Sequence, residues 1–176
     1  MSSYLVVSAL GENRPGLVNE LSDVASKVGC SIVDSRMTVL GNEFGILMLL
    51  TGEWNALAKM EHQLPLLANR LGLTTMIKRT TQTKKETDKL PYQIQVIARD
   101  NQGIIRDISH FFYQLNMDII DIHSDTYPAP HTGAPMVELN LLVNLPTSVL
   151  IADIRELFSQ FCDEENLDAS MDPLRH

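Results

Sequence analysis

Asn13-Arg14-Pro15-Gly16-Leu17-Val18 stands between an apolar run, Tyr4 to Leu10, and a helical pattern of Leu17, Leu21, Val24, Ala25 and Val28. Proline is tolerated in the first turn of a helix, where its missing N–H would be unpaired anyway. Asn13 has the side chain of an N-cap. Gly16 has no Cβ and lets another group approach the backbone. The hexapeptide therefore reads as the end of a strand, a tight turn and a helix start. Such a start gathers free N–H groups and partial positive charge, which together can hold a carboxylate.

The stretch occurs twice. At an offset of 87, Asp100-Asn101-Gln102-Gly103-Ile104-Ile105 falls on Asn13 to Val18. Downstream, Ile104, Ile108, Phe111, Phe112 and Leu115 fall on the five apolar helix positions, and Ile119-Ile120-Asp121 falls on Ile32-Val33-Asp34. Upstream, Tyr92, Ile94 and Val96 fall on Leu5, Val7 and Ala9. Register held over this distance without a gap implies two copies of one unit. A chain of 176 residues accommodates two units of about 80 to 90 residues, each with a modest core.

The first copy predicts a strand over 4–10, a helix over 15–28 stopped by Gly29, and a strand over 31–40. Gly41-Asn42 then makes a hairpin into a return strand, Glu43 to Thr51. A second helix carries Leu57, Met60, Leu64, Leu67 and Leu71 on one face, with Pro65 predicting a kink or a late start. A short strand, Thr74 to Lys78, closes the unit. The order β-α-β-β-α-β is the ferredoxin-like split unit, of class α+β, with an antiparallel sheet and both helices packed on one face. The second copy repeats it: a strand over 92–98, a helix over 104–115, a strand over 119–127, a longer hairpin loop from Pro128 to Pro135, a return strand over 136–145, a helix over 148–162 and a weak strand over 167–171. The expected boundaries are a first domain over 1–80, a polar linker over 81–90 and a second domain over 91–176, its last residues frayed.

Charge is uneven. Residues 1–80 hold seven basic and seven acidic groups, whereas residues 91–176 hold four against thirteen, a net of −9. An acidic half repels phosphate backbones, which argues against direct nucleic-acid binding, and it can meet a basic protein partner. No helix-turn-helix with a basic recognition helix appears, and Phe111 and Phe112 lie on a helix rather than on a base-stacking sheet. No apolar run approaches the roughly 20 residues of a membrane helix, so no membrane partner is expected. Cys30 and Cys162 lie in different copies, which suggests free thiols in a reducing cytoplasm.

Catalytic patterns are missing. His62, His110, His123, His131 and His176 are scattered without metal spacing, and neither a phosphate loop nor a nucleophile elbow is found. Asp34 and Asp121 share a repeat position but read as solvent-facing strand residues. No enzyme, metal or cofactor is expected. Small-ligand binding is what the turns can offer, with glycine or another amino acid as the effector. In the first copy the loop from Gly11 to Gly16 aims helix-start N–H groups at such a ligand, with Ser31 opening the second strand near that point, and the counterparts in the second copy are Asp100, Asn101, Gly103 and Asp118. Asp100 and Asp118 suit the ammonium end of an amino acid.

A Pro-Gly turn opening the first helix of such a unit resembles the ACT domain, a module that senses small ligands. Tyr4–Gly11, Asn13–Asn19, Asp34–Met37, Leu40–Phe44, Met48–Asn55 and Lys78–Thr81, in that order, resemble the tandem-ACT repressors of the glycine cleavage operon. The resemblance is dense over residues 4–81 and mostly topological over 91–172. It implies a cytoplasmic, non-enzymatic transcriptional regulator that contacts a LysR-type activator rather than DNA, with glycine favouring the contact, and it marks Asn13, Arg14, Pro15, Gly16 and Leu17, with Ser31 facing them, as the ligand-binding candidates of the first copy. The alternative is a regulatory ACT subunit of an amino-acid biosynthetic enzyme. Unpaired sheet edges also predict a homo-oligomer.

Overall fold

The computed structural model describes residues 3–81 and 88–174. The chain divides into two compact units, Met1–Lys84 and Lys85–His176. Both contain a four-stranded antiparallel sheet with two helices on one face, the α+β ferredoxin-like arrangement that the repeat implies.

In the first unit the elements are β1 (Ser3–Glu12), α1 (Leu17–Lys27), β2 (Ser31–Leu40), β3 (Glu43–Gly52), α2 (Trp54–Leu71) and β4 (Thr74–Thr80), with strand order β2-β3-β1-β4. Leu5, Val7 and Ala9 of β1 and Phe44, Ile46, Met48 and Leu50 of β3 point to the helices. They meet Leu17, Leu21 and Ala25 of α1 and Leu57, Met60 and Leu64 of α2. The period of two in the strands and of 3.6 in the helices converges on one core. The apolar run in β1 is thus fully buried on the helix-facing side, while on the other side burial fades from Tyr4 to the exposed Leu10. Leu10, Leu47 and Met76 stand on the open face at 56, 54 and 74 % exposure. Helix α2 runs on through Pro65, whose ring leaves Glu61 O without the usual amide partner.

The second unit has β5 (Lys89–Arg99), α3 (Ile104–Gln114), β6 (Asp118–Pro128), β7 (Pro135–Pro146), α4 (Ile151–Glu165) and β8 (Asp168–Pro173), in the order β6-β7-β5-β8. Its core joins Ile94, Val96, Leu139 and Leu141 to Ile108, Phe112, Ile154 and Phe158. Phe111, Phe112, Phe158 and Phe161 pack as a ring cluster, with Phe111 and Phe161 stacked at 4.8 Å between centroids.

Several boundaries differ from expectation. Strand β5 already includes Lys89 and Leu90 of the stretch read as linker, while residues 82–87 of that stretch lie outside the described residues. Helix α4 starts three residues late, because Thr147 and Val149 form a turn, their amides donating to Asp88 O and Pro146 O. It then continues through Asp163, Glu164 and Glu165, where no apolar residue marks a helix. The supposed tail is strand: β8 runs to Pro173 with Met171 buried, and Leu174 N donates to Pro91 O. Arg175 and His176 lie outside the described residues.

Candidate functional site

The turn of the first unit is built around a left-handed glycine. Gly16 sits at φ +95°, a region costly for residues with a Cβ, and it occupies the N-cap position of α1 without a side-chain cap. Asn13 is therefore not the N-cap. Its backbone N–H donates to Asn42 O at 2.8 Å, tying the turn to the β2–β3 hairpin. Pro15 belongs to the turn rather than to the helix. Gly16 O accepts from Glu20 N at 2.9 Å, which closes the first helical turn. Among the described residues no backbone acceptor is recorded for the amides of Leu17, Val18 and Asn19, as helix geometry requires of a first turn. Nothing lies within 4 Å of a Cβ built on Gly16, so φ, and not a close neighbour, dictates glycine here.

Two further contacts lock this turn to the end of α2. Arg14 Nη2 donates to Leu71 O at 2.9 Å, satisfying a carbonyl of the last helical turn where partial negative charge collects. At the end of β1, a Cβ on Gly11 would lie 2.7 Å from Leu73 Cδ2 and 2.9 Å from Gly72 O. Only glycine permits that approach. The guanidinium of Arg14 is thus engaged by its own unit. Leu17 is core at 2 % exposure, so only its backbone can face a ligand.

Ser31 does not face the turn. It pairs with Thr51, whereas Glu12 and Leu40 both pair with Glu43, at the other end of β3. Eight residues of strand separate the two pairings, about 27 Å. The same correction holds in the second unit: Asp118 pairs with Asn144, while Arg99 pairs with Met136. Asp118 is also occupied, accepting from Lys89 Nζ at 2.8 Å. Within one unit the turn and the start of its second strand cannot share a ligand.

The second turn keeps the backbone and changes the side chains. Gly103 is at φ +101°, Asp100 N donates to Pro135 O at 2.9 Å, and Gly103 O accepts from Asp107 N. Arg106 covers this glycine, with its Nη2 2.9 Å from where a Cβ would stand. Arg106 is held there by Asp107, which raises its pKa first by hydrogen bonding and then by charge; Glu165 adds a smaller raising effect. Asp100 and Asn101 line a cleft of about 630 Å³ with Ala98, Arg99, Glu165 and Asn166. The last two residues end α4, with Asn166 left-handed at φ 55° as Gly72 is in α2. The sequence reading missed Ala98, Arg99, Glu165 and Asn166. Superposing the two helix stops, Gly72 on Asn166, was the signal that could have found them.

Among the described residues no group of three or more His, Cys, Asp or Glu side chains is placed to hold a metal ion. Both cysteines are buried free thiols, and burial with Asp163 and Asp168 nearby pushes Cys162 up to about 11. Among the described residues no helix is long and apolar enough to cross a membrane.

Comparison with known proteins places this geometry. The ACT domain model matches residues 3–78. The glycine cleavage system transcriptional repressor of Escherichia coli (strain K12) is 35 % identical over 173 residues, covering 98 % of this chain and 91 % of that protein. The protein of that name from Shigella flexneri matches to the same extent. Among solved structures, a crystal structure described as a candidate glycine cleavage system transcriptional repressor superposes with a TM-score of 0.75 at 26 % identity, covering 100 % of this chain and 99 % of that one. An unknown protein from Galdieria sulphuraria shares the fold, with a TM-score of 0.80 at 21 % identity over 99 % of this chain and 100 % of that one. With its duplicated unit, its left-handed glycine turns and these relatives, the chain is a regulatory protein of tandem ACT architecture and belongs to the family of glycine cleavage system transcriptional repressors.

Proposed function

We propose that the chain represses the glycine cleavage operon in the cytoplasm by binding a DNA-binding activator of LysR type, without touching DNA, and that glycine or another small amino acid is the effector. The observation that carries this reading is the 35 % identity, across 98 % of the chain, to a protein named for that repression. Surface charge supports contact with protein rather than DNA. The open face of the second sheet presents Asp118, Asp121, Asp125, Glu138, Asp168 and Asp172 against Lys89, Arg99 and His123, so acidic groups outnumber basic ones there. Gln95 and Asn140 donate to Glu138 at 2.7 and 3.2 Å and hold its pKa down, so this face stays anionic. A surface of this sign repels phosphates and attracts basic protein.

The effector's carboxylate would meet the unbonded amides at the start of α1, where Gly16 leaves the approach open. Self-association would use β2. This edge strand carries Ile32, Val33, Met37, Val39 and Leu40 exposed, and its outer side has no strand neighbour within the sheet. Pull-down from lysate with and without glycine tests the reading. Recovery of a LysR-type activator, increased by glycine, supports it; recovery of a metabolic enzyme and no activator favours a regulatory subunit of a biosynthetic enzyme instead. The absence of catalysis is part of the same reading and rests on the relatives, which are repressors by name.

A further inference from the structure

The duplication supplies its own control, because one position can be followed through both units. In the first, Leu71 O precedes the left-handed residue Gly72 and receives the Arg14 guanidinium at 2.9 Å. In the second, the carbonyl just before the left-handed residue is that of Glu165. Both helix ends are otherwise closed alike: Leu73 N donates to Ala68 O and Leu167 N to Cys162 O, each at 2.8 Å. The residue equivalent to Arg14 is Asn101, whose side chain is far shorter, and among the described residues no donor to Glu165 O is recorded. The residue equivalent to Gly11 is Ala98, and a methyl group at that position would collide with the end of α2 as the first unit places it. The cleft of about 630 Å³ lies here.

We propose that this cleft of the second unit is a binding site for a free amino acid held by its amino group, and that the first unit has lost the equivalent site to the side chain of Arg14. The ammonium takes the place of the guanidinium, donating to Glu165 O at the negative end of α4, with the carboxylates of Asp100 and Glu165 beside it. Arg99, on the same lining, takes the ligand's carboxylate. This rests on the effector reading above in requiring an amino acid, but it places the ligand in the second unit and against a helix C-terminus. The turn of the first unit, by contrast, offers a helix N-terminus.

The test is titration calorimetry of the full chain with glycine, alanine and serine, and with N-acetylglycine as the ligand lacking an ammonium. Asn101→Arg installs the plug that the first unit carries, and Asp100→Asn removes one carboxylate without adding bulk. The expected result is binding of at least one amino acid, no binding of N-acetylglycine, loss of that heat in Asn101→Arg, and binding about tenfold weaker in Asp100→Asn. Circular dichroism and melting curves matching wild type show that both variants are folded. Amino-acid heat unchanged in Asn101→Arg and Asp100→Asn but lost in Gly16→Val overturns this assignment and leaves the first-unit effector site standing. No heat with any amino acid overturns both.

Discussion

Glu61 accepts two hydrogen bonds from Arg79, from Nε at 2.7 Å and from Nη2 at 2.8 Å, and so couples α2 to the edge strand β4. The guanidinium also stands 5.9 Å from the ring centre of Trp54, at the start of the same helix. The hydrogen bonds and charge of Arg79 lower the Glu61 pKa. A depressed carboxylate pKa stabilises the fold above the unfolded value and loses that contribution as pH falls through the folded one. Melting temperatures of wild type and Glu61→Gln should therefore differ at pH 7 and converge toward pH 3, with the variant less stable at neutral pH.

Gly16→Ala should destabilise the first unit by about 1–2 kcal/mol, the cost of a Cβ in the left-handed region. Since nothing crowds the site, Gly16→Asn should be tolerated better than Gly16→Val. Urea denaturation of the three variants gives the order directly.

Gly11→Ala acts by a different route. Its Cβ would strike the backbone at Gly72 O and the side chain of Leu73, forcing α2 away from β1. A loss of about 1–3 kcal/mol is expected, as for overpacking elsewhere. The reverse exchange, Ala98→Gly, meets no such wall, and its melting temperature should fall only slightly.

Phe112→Ala removes a fully buried ring from the aromatic cluster and should cost about 3–5 kcal/mol. Because each unit closes its own core, the loss should appear in the transition of the second unit alone, with the first unit's transition unmoved in calorimetric scans.

Cys162, pushed up to about 11 by burial and neighbouring carboxylates, should resist alkylation at pH 8 in the folded protein and react readily in denaturant. Equal rates in both conditions would show the thiol to be open.

The topology was legible because the repeat doubled every signal: the hairpin at Gly41-Asn42, the apolar runs of β1 and β3, and the stop at Gly29 all stand where the pattern put them. The position of Ser31 was misread for a reason the pattern already contained. A helix between two strands returns the chain to the starting end, so β2 begins far from where β1 finished. The role of Arg14 was illegible, since a guanidinium reaching a carbonyl 57 positions away leaves no local trace. The late start of α4 was hidden by the bond from Thr147 to Asp88, which depends on the strand pairing around it.

Both second strands skip one residue in their ladders, between Ile32 and Asp34 and again between Ile119 and Asp121, the same place in the repeat. One uncounted residue exchanges odd for even in everything that follows it. Without Val33, Ile32 and Asp34 would stand consecutively opposite Leu50 and Leu49, and the ladder would run unbroken with Met37 and Val39 still beside Ile46 and Phe44. The bulge thus absorbs one residue, so that Ile32 and Met37, five positions apart, still look to the same side of the sheet.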